Sequence, residues 1–121
     1  MKIILNIHPL SINKAFFGKH IKTPECRNYE KYLSGMLLQF HKPGELSERV
    51  RVIYKFYLKS IVRSDADNYL KLLNDILVKS GFIKDDRYIM EYHIYKIKAE
   101  HDSMEIDIEN IKSSNHGGDI Q

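Results

Sequence analysis

Apolar and polar positions change period several times along the chain, and each change predicts an element. Ile3 to Ile7 is an apolar, β-branched run that predicts a short buried strand. His8-Pro9 ends it, because proline has no amide to donate to a ladder. Ser11 to Lys22 keeps no period and predicts a loop. Thr23-Pro24-Glu25 predicts a helix start, with a hydroxyl N-cap, proline at the first helical position and an acid in the first turn. Behind it Cys26, Tyr29, Leu33, Met36, Leu37 and Phe40 recur at helical spacing, until His41-Lys42-Pro43-Gly44 stops the helix.

From Glu48 to Lys59 the period falls to two. Val50, Val52, Tyr54, Phe56 and Leu58 take one face of this strand; Arg49, Arg51, Ile53, Lys55, Tyr57 and Lys59 take the other. Asp65 to Ser80 returns to helical spacing, with Ala66, Tyr69, Leu70, Leu73, Ile76, Leu77 and Ser80 on the core stripe. Gly81 supplies the stop, helped by Lys79 in the last turn. Tyr88 to Lys98 and Met104 to Ile111 predict two further strands, joined as a hairpin through His101-Asp102-Ser103. On the last strand Met104, Ile106 and Ile108 alternate with Glu105, Asp107 and Glu109, an inward apolar face and an outward acidic one.

The order β-α-β-α-β-β has too few helices for a doubly wound sheet. It predicts an α+β fold: a single domain with a mixed β-sheet and helices packed on it. Residues 1–112 are expected to form that domain. Residues 113–121 show no core-forming pattern and are expected to be a disordered tail.

A chain of 121 residues suits one domain, and 43% hydrophobic with 29% charged residues excludes a wholly disordered chain. The net charge of +3 is too mild to identify a partner, so position has to do so. The one cysteine, Cys26, rules out an intrachain disulfide and a Cys-rich zinc module, and it falls on a buried stripe. No segment approaches the roughly 18 apolar residues of a membrane span, and the first ten residues lack a signal peptide's uninterrupted apolar region. A cytoplasmic location and no membrane partner are expected.

The chemistry concentrates between Arg63 and Arg87. Asp65 and Asp67 stand two apart at a helix entrance, the first expected at the N-cap and the second in the first turn. Asp67 and Lys71 are four apart and share a helix face. Past Gly81 comes the second acidic pair, Asp85-Asp86. Magnesium is a hard ion that takes few carboxylates and keeps several waters, and this set matches that need. The plainer reading makes Asp65 a cap, Asp67 and Lys71 an exposed ion pair, and Asp85-Asp86 turn residues. Capping alone requires neither Asp67 nor a second acidic pair. Basic residues lie nearby: Arg49, Arg51, Lys55 and Lys59 on one strand face, continued by Arg63, and Lys14 and Lys19 interleaved with Phe16 and Phe17. Cations among aromatics suit phosphate contact and base stacking. A solvent-facing strand protected against edge pairing, and a loop whose phenylalanines fold back, are the alternatives.

The run R-S-D-A-D-N-Y-L-K-L-L-N-D-I-L, followed by S-G-F-I-K-D-D, resembles the RusA-type Holliday-junction resolvases, small dimeric Mg-dependent endonucleases. It is similar to the family's D-x-D-N, a lysine four residues after the second aspartate, a helix, and then G-x-x-x-D-D. The resemblance implies catalytic roles for Asp65, Asp67, Asp86 and Lys71, with Asn68 and Asp75 on family-like positions and Asp85 beside the third carboxylate. It implies Mg2+, with Mn2+ as a substitute, held by Asp65, Asp67 and Asp86. It also implies a homodimer acting on branched, four-way DNA, with Lys14, Lys19, Arg49, Arg51, Lys55, Lys59 and Arg63 on backbone phosphates. His8-Pro9-Leu10-Ser11-Ile12-Asn13 is similar to the family's P-P-S-x-N turn, and Thr23-Pro24-Glu25 with Tyr29 to the start of its first helix. Leu10 departs from a usual proline, and Lys14 or Lys19 stands in for a common arginine; both departures concern DNA contact. The competing reading is a protein of the same fold that binds branched DNA without cutting it. A metal-dependent nucleotide-processing enzyme lacks its glycine-rich phosphate cradle here.

Overall fold

The computed structural model describes residues 1–11, 14, 16–17, 21–40, 49–62 and 66–111. Among these residues six strands and two helices follow in the order β1 (Lys2–Leu5), β2 (Phe16–Phe17), β3 (Ile21–Lys22), α1 (Pro24–Leu37), β4 (Val50–Leu58), α2 (Asp67–Lys79), β5 (Ile89–Lys98) and β6 (Ser103–Asn110). A 3-10 turn, Asp86–Tyr88, leads into β5. The α+β class and the β-α-β-α-β-β order hold, with one addition. β2 and β3 pair as a two-residue ribbon in the region expected to be loop. The expected tail, 113–121, lies outside the described residues.

The main sheet runs β1-β6-β4-β5. β4 is parallel to β5 and antiparallel to β6, and β1 closes the other edge antiparallel to β6. The hairpin expected from Tyr88 to Ile111 is therefore absent: its two strands flank β4 instead of pairing. The reason lies at the C-terminal end of β4. The Ala99 amide donates to the Leu58 carbonyl at 2.9 Å, and the Lys59 amide donates to Asp102 Oδ1 at 2.8 Å, which carries the link across that end. β4 also has the most to bury, since Val52, Tyr54 and Phe56 are fully enclosed. A central position suits a strand of that kind better than an edge.

The core fills one face of this sheet. Ile3, Leu5, the alternate residues Val50 to Leu58, Met104, Ile106 and Ile108 meet Leu33 and Leu37 of α1 and Tyr69, Leu72, Leu73, Ile76 and Leu77 of α2. Thr23 caps α1 by accepting the Cys26 amide at 3.0 Å, with Pro24 in the first turn, as the local signals predict. Cys26 is buried, and burial pushes its thiol upward, away from the reactive thiolate. Gly81 ends α2 with a φ of 83°, where a side chain would be strained, and the Phe82 amide reaches back to the Leu77 carbonyl at 2.9 Å. That closure drops Phe82 and Ile83 into the core and sets the path of Asp85 and Asp86.

Asp102 gives the β4 crossing a measurable signature. The Lys59 amide, and then His8 Nδ1 at 2.8 Å, hold its carboxyl below the usual carboxylate range. A folded value below the unfolded one stabilises above the unfolded value, and that contribution is lost as pH falls through the folded one. Asp102→Asn keeps an oxygen acceptor and removes the charge. It should lower stability by about 1 kcal/mol at pH 7, with the difference closing toward pH 2 in urea titrations.

Candidate active site

The acidic site takes shape at the start of α2. The cap falls on Ala66, which offers no side-chain acceptor, so the expected capping by Asp65 is replaced; Asp65 itself lies outside the described residues. Asp67 is the first helical residue and is exposed among amides that have no intrahelical partner. The helix dipole favours a carboxylate there. Lys71, four residues on, is exposed on the same side. Seven residues from Asp67, two helical turns or roughly 10 Å along the axis, stands Asn74 on nearly the same line.

Asn74 is a polar residue among Leu72, Leu73, Ile76 and Leu77, and it is only 6% exposed. Its burial is satisfied from the sheet. Tyr54 Oη, fully enclosed on β4, donates to Asn74 Oδ1, and Asn74 Nδ2 donates to Tyr92 Oη of β5 at 2.9 Å. Burial raises the Tyr54 phenol well above its ordinary value, so it stays a donor. These bonds fix the rotation of α2 against β4 and β5. Asp67 and Lys71, near the same helix line, take their rotational position from these bonds.

The second acidic pair divides its work. Asp85 accepts the Arg87 amide at 3.0 Å and lies 3.7 Å from the Arg87 guanidinium, so it caps the 3-10 turn. That amide above all, and then a hydrogen bond shared with Asp86, hold the Asp85 carboxyl low. Asp86 opens the turn and is exposed. The turn packs on α2. Burial above all raises the Tyr92 phenol, with the hydrogen bond from Asn74 opposing it and the charge of Asp86 adding to it.

Asp67 and Asp86 are exposed carboxylates open to water, a hard oxygen donor set that fits Mg2+. Among the described residues no three acidic, histidine or cysteine side chains converge on one point, and the third expected ligand, Asp65, is outside them. Asn68 and Asp75 are half-buried on α2.

The cations expected on DNA are distributed differently. Lys14, Arg49 and Lys59 are exposed, while Lys19 and Arg63 lie outside the described residues. Arg51 grips Glu91 of β5 through Nε at 3.2 Å and Nη2 at 3.0 Å, and Glu109 of β6 through Nη1 at 3.0 Å. Lys55 lies 3.5 Å from Glu105. The β4 face expected to be basic is thus matched by acids on both neighbouring strands. The acidic alternation of β6 carried that signal, and the expected hairpin hid it by setting β6 beside β5. The sequence reading also passed over Asn74 and Tyr92. Their signal was a lone amide inside a leucine stripe.

The chain matches the endodeoxyribonuclease RusA family over residues 11–109. It is similar to the crossover junction endodeoxyribonuclease RusA of Aquifex aeolicus (strain VF5), 33% identical over 79 residues, which are 65% of this chain. That alignment spans 63% of the relative's own length.

The buried amide makes a direct test of the geometry. Asn74→Leu leaves the Tyr54 hydroxyl enclosed with nothing to accept its proton, and should cost about 1–3 kcal/mol in urea unfolding despite the apolar replacement. Adding Tyr54→Phe should return part of that loss, because the orphaned group is then gone.

Proposed function

The chain belongs to the RusA endodeoxyribonuclease family, and from that premise we propose that it is a Mg-dependent endodeoxyribonuclease that resolves four-way DNA junctions by paired symmetric nicks. The observation that carries the reading is that Asp67 and Lys71 share one side of α2 while the turn that opens with Asp86 packs on the same helix. Asp67 and Asp86, with Asp65, would hold the ion, and Mn2+ would substitute. The chemistry a bound Mg2+ supplies there is polarisation of the phosphodiester and activation of a water for in-line attack. Lys71, a compact cation within the same row, would offset the charge that builds on the phosphate in the transition state.

Phosphate contacts are assigned to Lys14, Arg49 and Lys59, which are exposed, and to Lys19 and Arg63. Arg51 and Lys55 are weaker candidates, since contact with DNA would first break their pairs with Glu91, Glu105 and Glu109. Cutting a four-way junction twice symmetrically calls for two sites related by a two-fold axis, so the working form is a homodimer. No helix among the described residues is long and apolar enough to cross a membrane.

The decisive measurement uses a synthetic four-way junction beside a matched linear duplex, with Mg2+. Wild type should make paired nicks in the junction alone. Asp67→Asn should lower the cleavage rate by at least about a hundredfold, roughly 2.7 kcal/mol of barrier. Lys71→Ala should lower it comparably with junction affinity nearly unchanged. Junction binding without cleavage under either Mg2+ or Mn2+ would remove the enzyme reading and leave a branched-DNA-binding protein of the same fold.

A further inference from the structure

We propose that Lys96 and Lys98 of β5 are backbone-phosphate contacts for the junction, a pair of cations set beside Lys59 at the entrance of α2. This rests on the proposed DNA-binding role of the chain. In the sequence the two lysines flank Ile97 at the end of a strand, a pattern that marks no face by itself. The pairing of β5 with β4 assigns one. Lys96 lies opposite Phe56 and Lys98 opposite Leu58, and paired residues of neighbouring strands share a face of the sheet. Phe56 and Leu58 are enclosed in the core beneath the helices, so both lysines stand on the helix side. Both are exposed there.

Their place along that face follows from the connection. α2 joins the end of β4 to the start of β5, its parallel neighbour, so the helix runs back against both strands and begins where they end. The Asn74–Tyr92 bond at 2.9 Å fixes the offset. From Asn74 back to Asp67 is two helical turns, roughly 10 Å. From Tyr92 on to Lys96 is four strand residues, roughly 13 Å in the same direction. Two further bonds hold the lysines at this level. Lys96 Nζ donates to the Ile61 carbonyl at 2.9 Å, and Lys98 Nζ donates to the Lys59 carbonyl. Both ammonium groups therefore lie against the segment that leads from β4 toward α2.

A carbonyl is a neutral acceptor, which fixes an ammonium and cancels none of its charge. Arg51 and Lys55 differ in this respect, being matched by carboxylates. Among the described residues the acids of the adjoining turn are Glu100 and Asp102, and Asp102 gives its oxygens to the Lys59 amide and to His8. A cation already held in place loses less freedom on meeting a phosphate, and each such contact adds to counterion release.

The salt dependence of binding to a synthetic four-way junction, measured with divalent metal chelated so that nothing is cut, tests the pair. Lys96→Gln with Lys98→Gln supplies neutral amide donors and removes both charges. At about 0.1 M salt its affinity should fall about tenfold, and the slope of log K against log salt should flatten by about two. Lys96→Arg with Lys98→Arg keeps the charge and should keep the wild-type slope. Lys31→Gln should also keep it, because Lys31 shares a cavity with Lys79 and Ser80 at the other end of α2. Thermal unfolding reports whether the double glutamine variant is folded; if it is not, Lys98→Gln alone should flatten the slope by about one. A wild-type slope in the folded glutamine variant, or an equal flattening in Lys31→Gln, overturns this inference and leaves the proposed activity standing. Wild-type protein that does not bind the junction overturns the DNA-binding reading and this inference with it. The expected slopes without cleavage once Mg2+ is restored would remove the enzyme reading and support the phosphate contacts.

Discussion

A helix held on a sheet by apolar contacts alone can roll, because a leucine stripe makes similar contacts over a range of rotations. The hydrogen bonds of Asn74 remove that freedom. Tyr54 below it and Tyr92 beside it must both be met, and one rotation of α2 meets them. The side of α2 that carries Asp67 and Lys71 is set by this constraint, since both residues lie near the helix line that reaches Asn74. The interior part of the chain is costly to disrupt, whereas the carboxylates it aims are exposed and contribute little to stability. Site and scaffold are thereby separable: the exposed groups can be exchanged without unfolding the domain.

The central place of β4 is the second condition. Tyr54 reaches Asn74 only because β4 runs beneath α2, and Tyr92 reaches it only because β5 is β4's parallel neighbour. A β5–β6 hairpin would have altered that adjacency. The parallel pairing is bought by routing the chain through α2 and the closure at Gly81, and the antiparallel return by crossing the end of β4 at Asp102. The pairs Arg51–Glu91, Arg51–Glu109 and Lys55–Glu105 then match charge across all three strands. Each is worth little singly at a partly exposed position. A misregistered strand would set like charges opposite each other, so the pairs favour the observed register.

Local signals made most elements legible. Thr23-Pro24 opens α1, the alternation of Val50 to Leu58 is the buried face of β4, and Gly81 ends α2. What the sequence did not disclose was adjacency. His101-Asp102-Ser103 has the composition of a hairpin turn, and only the partners of Ala99, Lys59 and Asp102 show that it spans another strand. The acids of β6 were legible as an outward face, but not as the partners of β4. Within the acidic stretch, Asp67 and Lys71 were legible because a helix fixes their spacing, whereas the cap was misplaced by one residue onto Ala66. Asn74 went unread because propensity and hydrophobic pattern treat a buried amide as noise. Its partners come from strands 20 residues before it and 18 after, as a tertiary constraint must.

These observations bear on how such a small domain could handle a polyanion. Its net charge is +3, and the strand with the densest cations is neutralised by its neighbours, so a uniform basic surface is not the device. Exposed cations stand at separate places: Lys71 one turn beyond Asp67, Lys59 just past β4, Arg49 before it, and Lys14 near the first helix. Under the proposed reading, a substrate that presents phosphates to several of these positions at once gains more than one that meets them singly, because each contact adds to counterion release. A branched junction held by two copies of the chain offers that arrangement better than a straight duplex held by one. Selectivity for shape then follows from sparse, separated cations, and a denser basic face would weaken it.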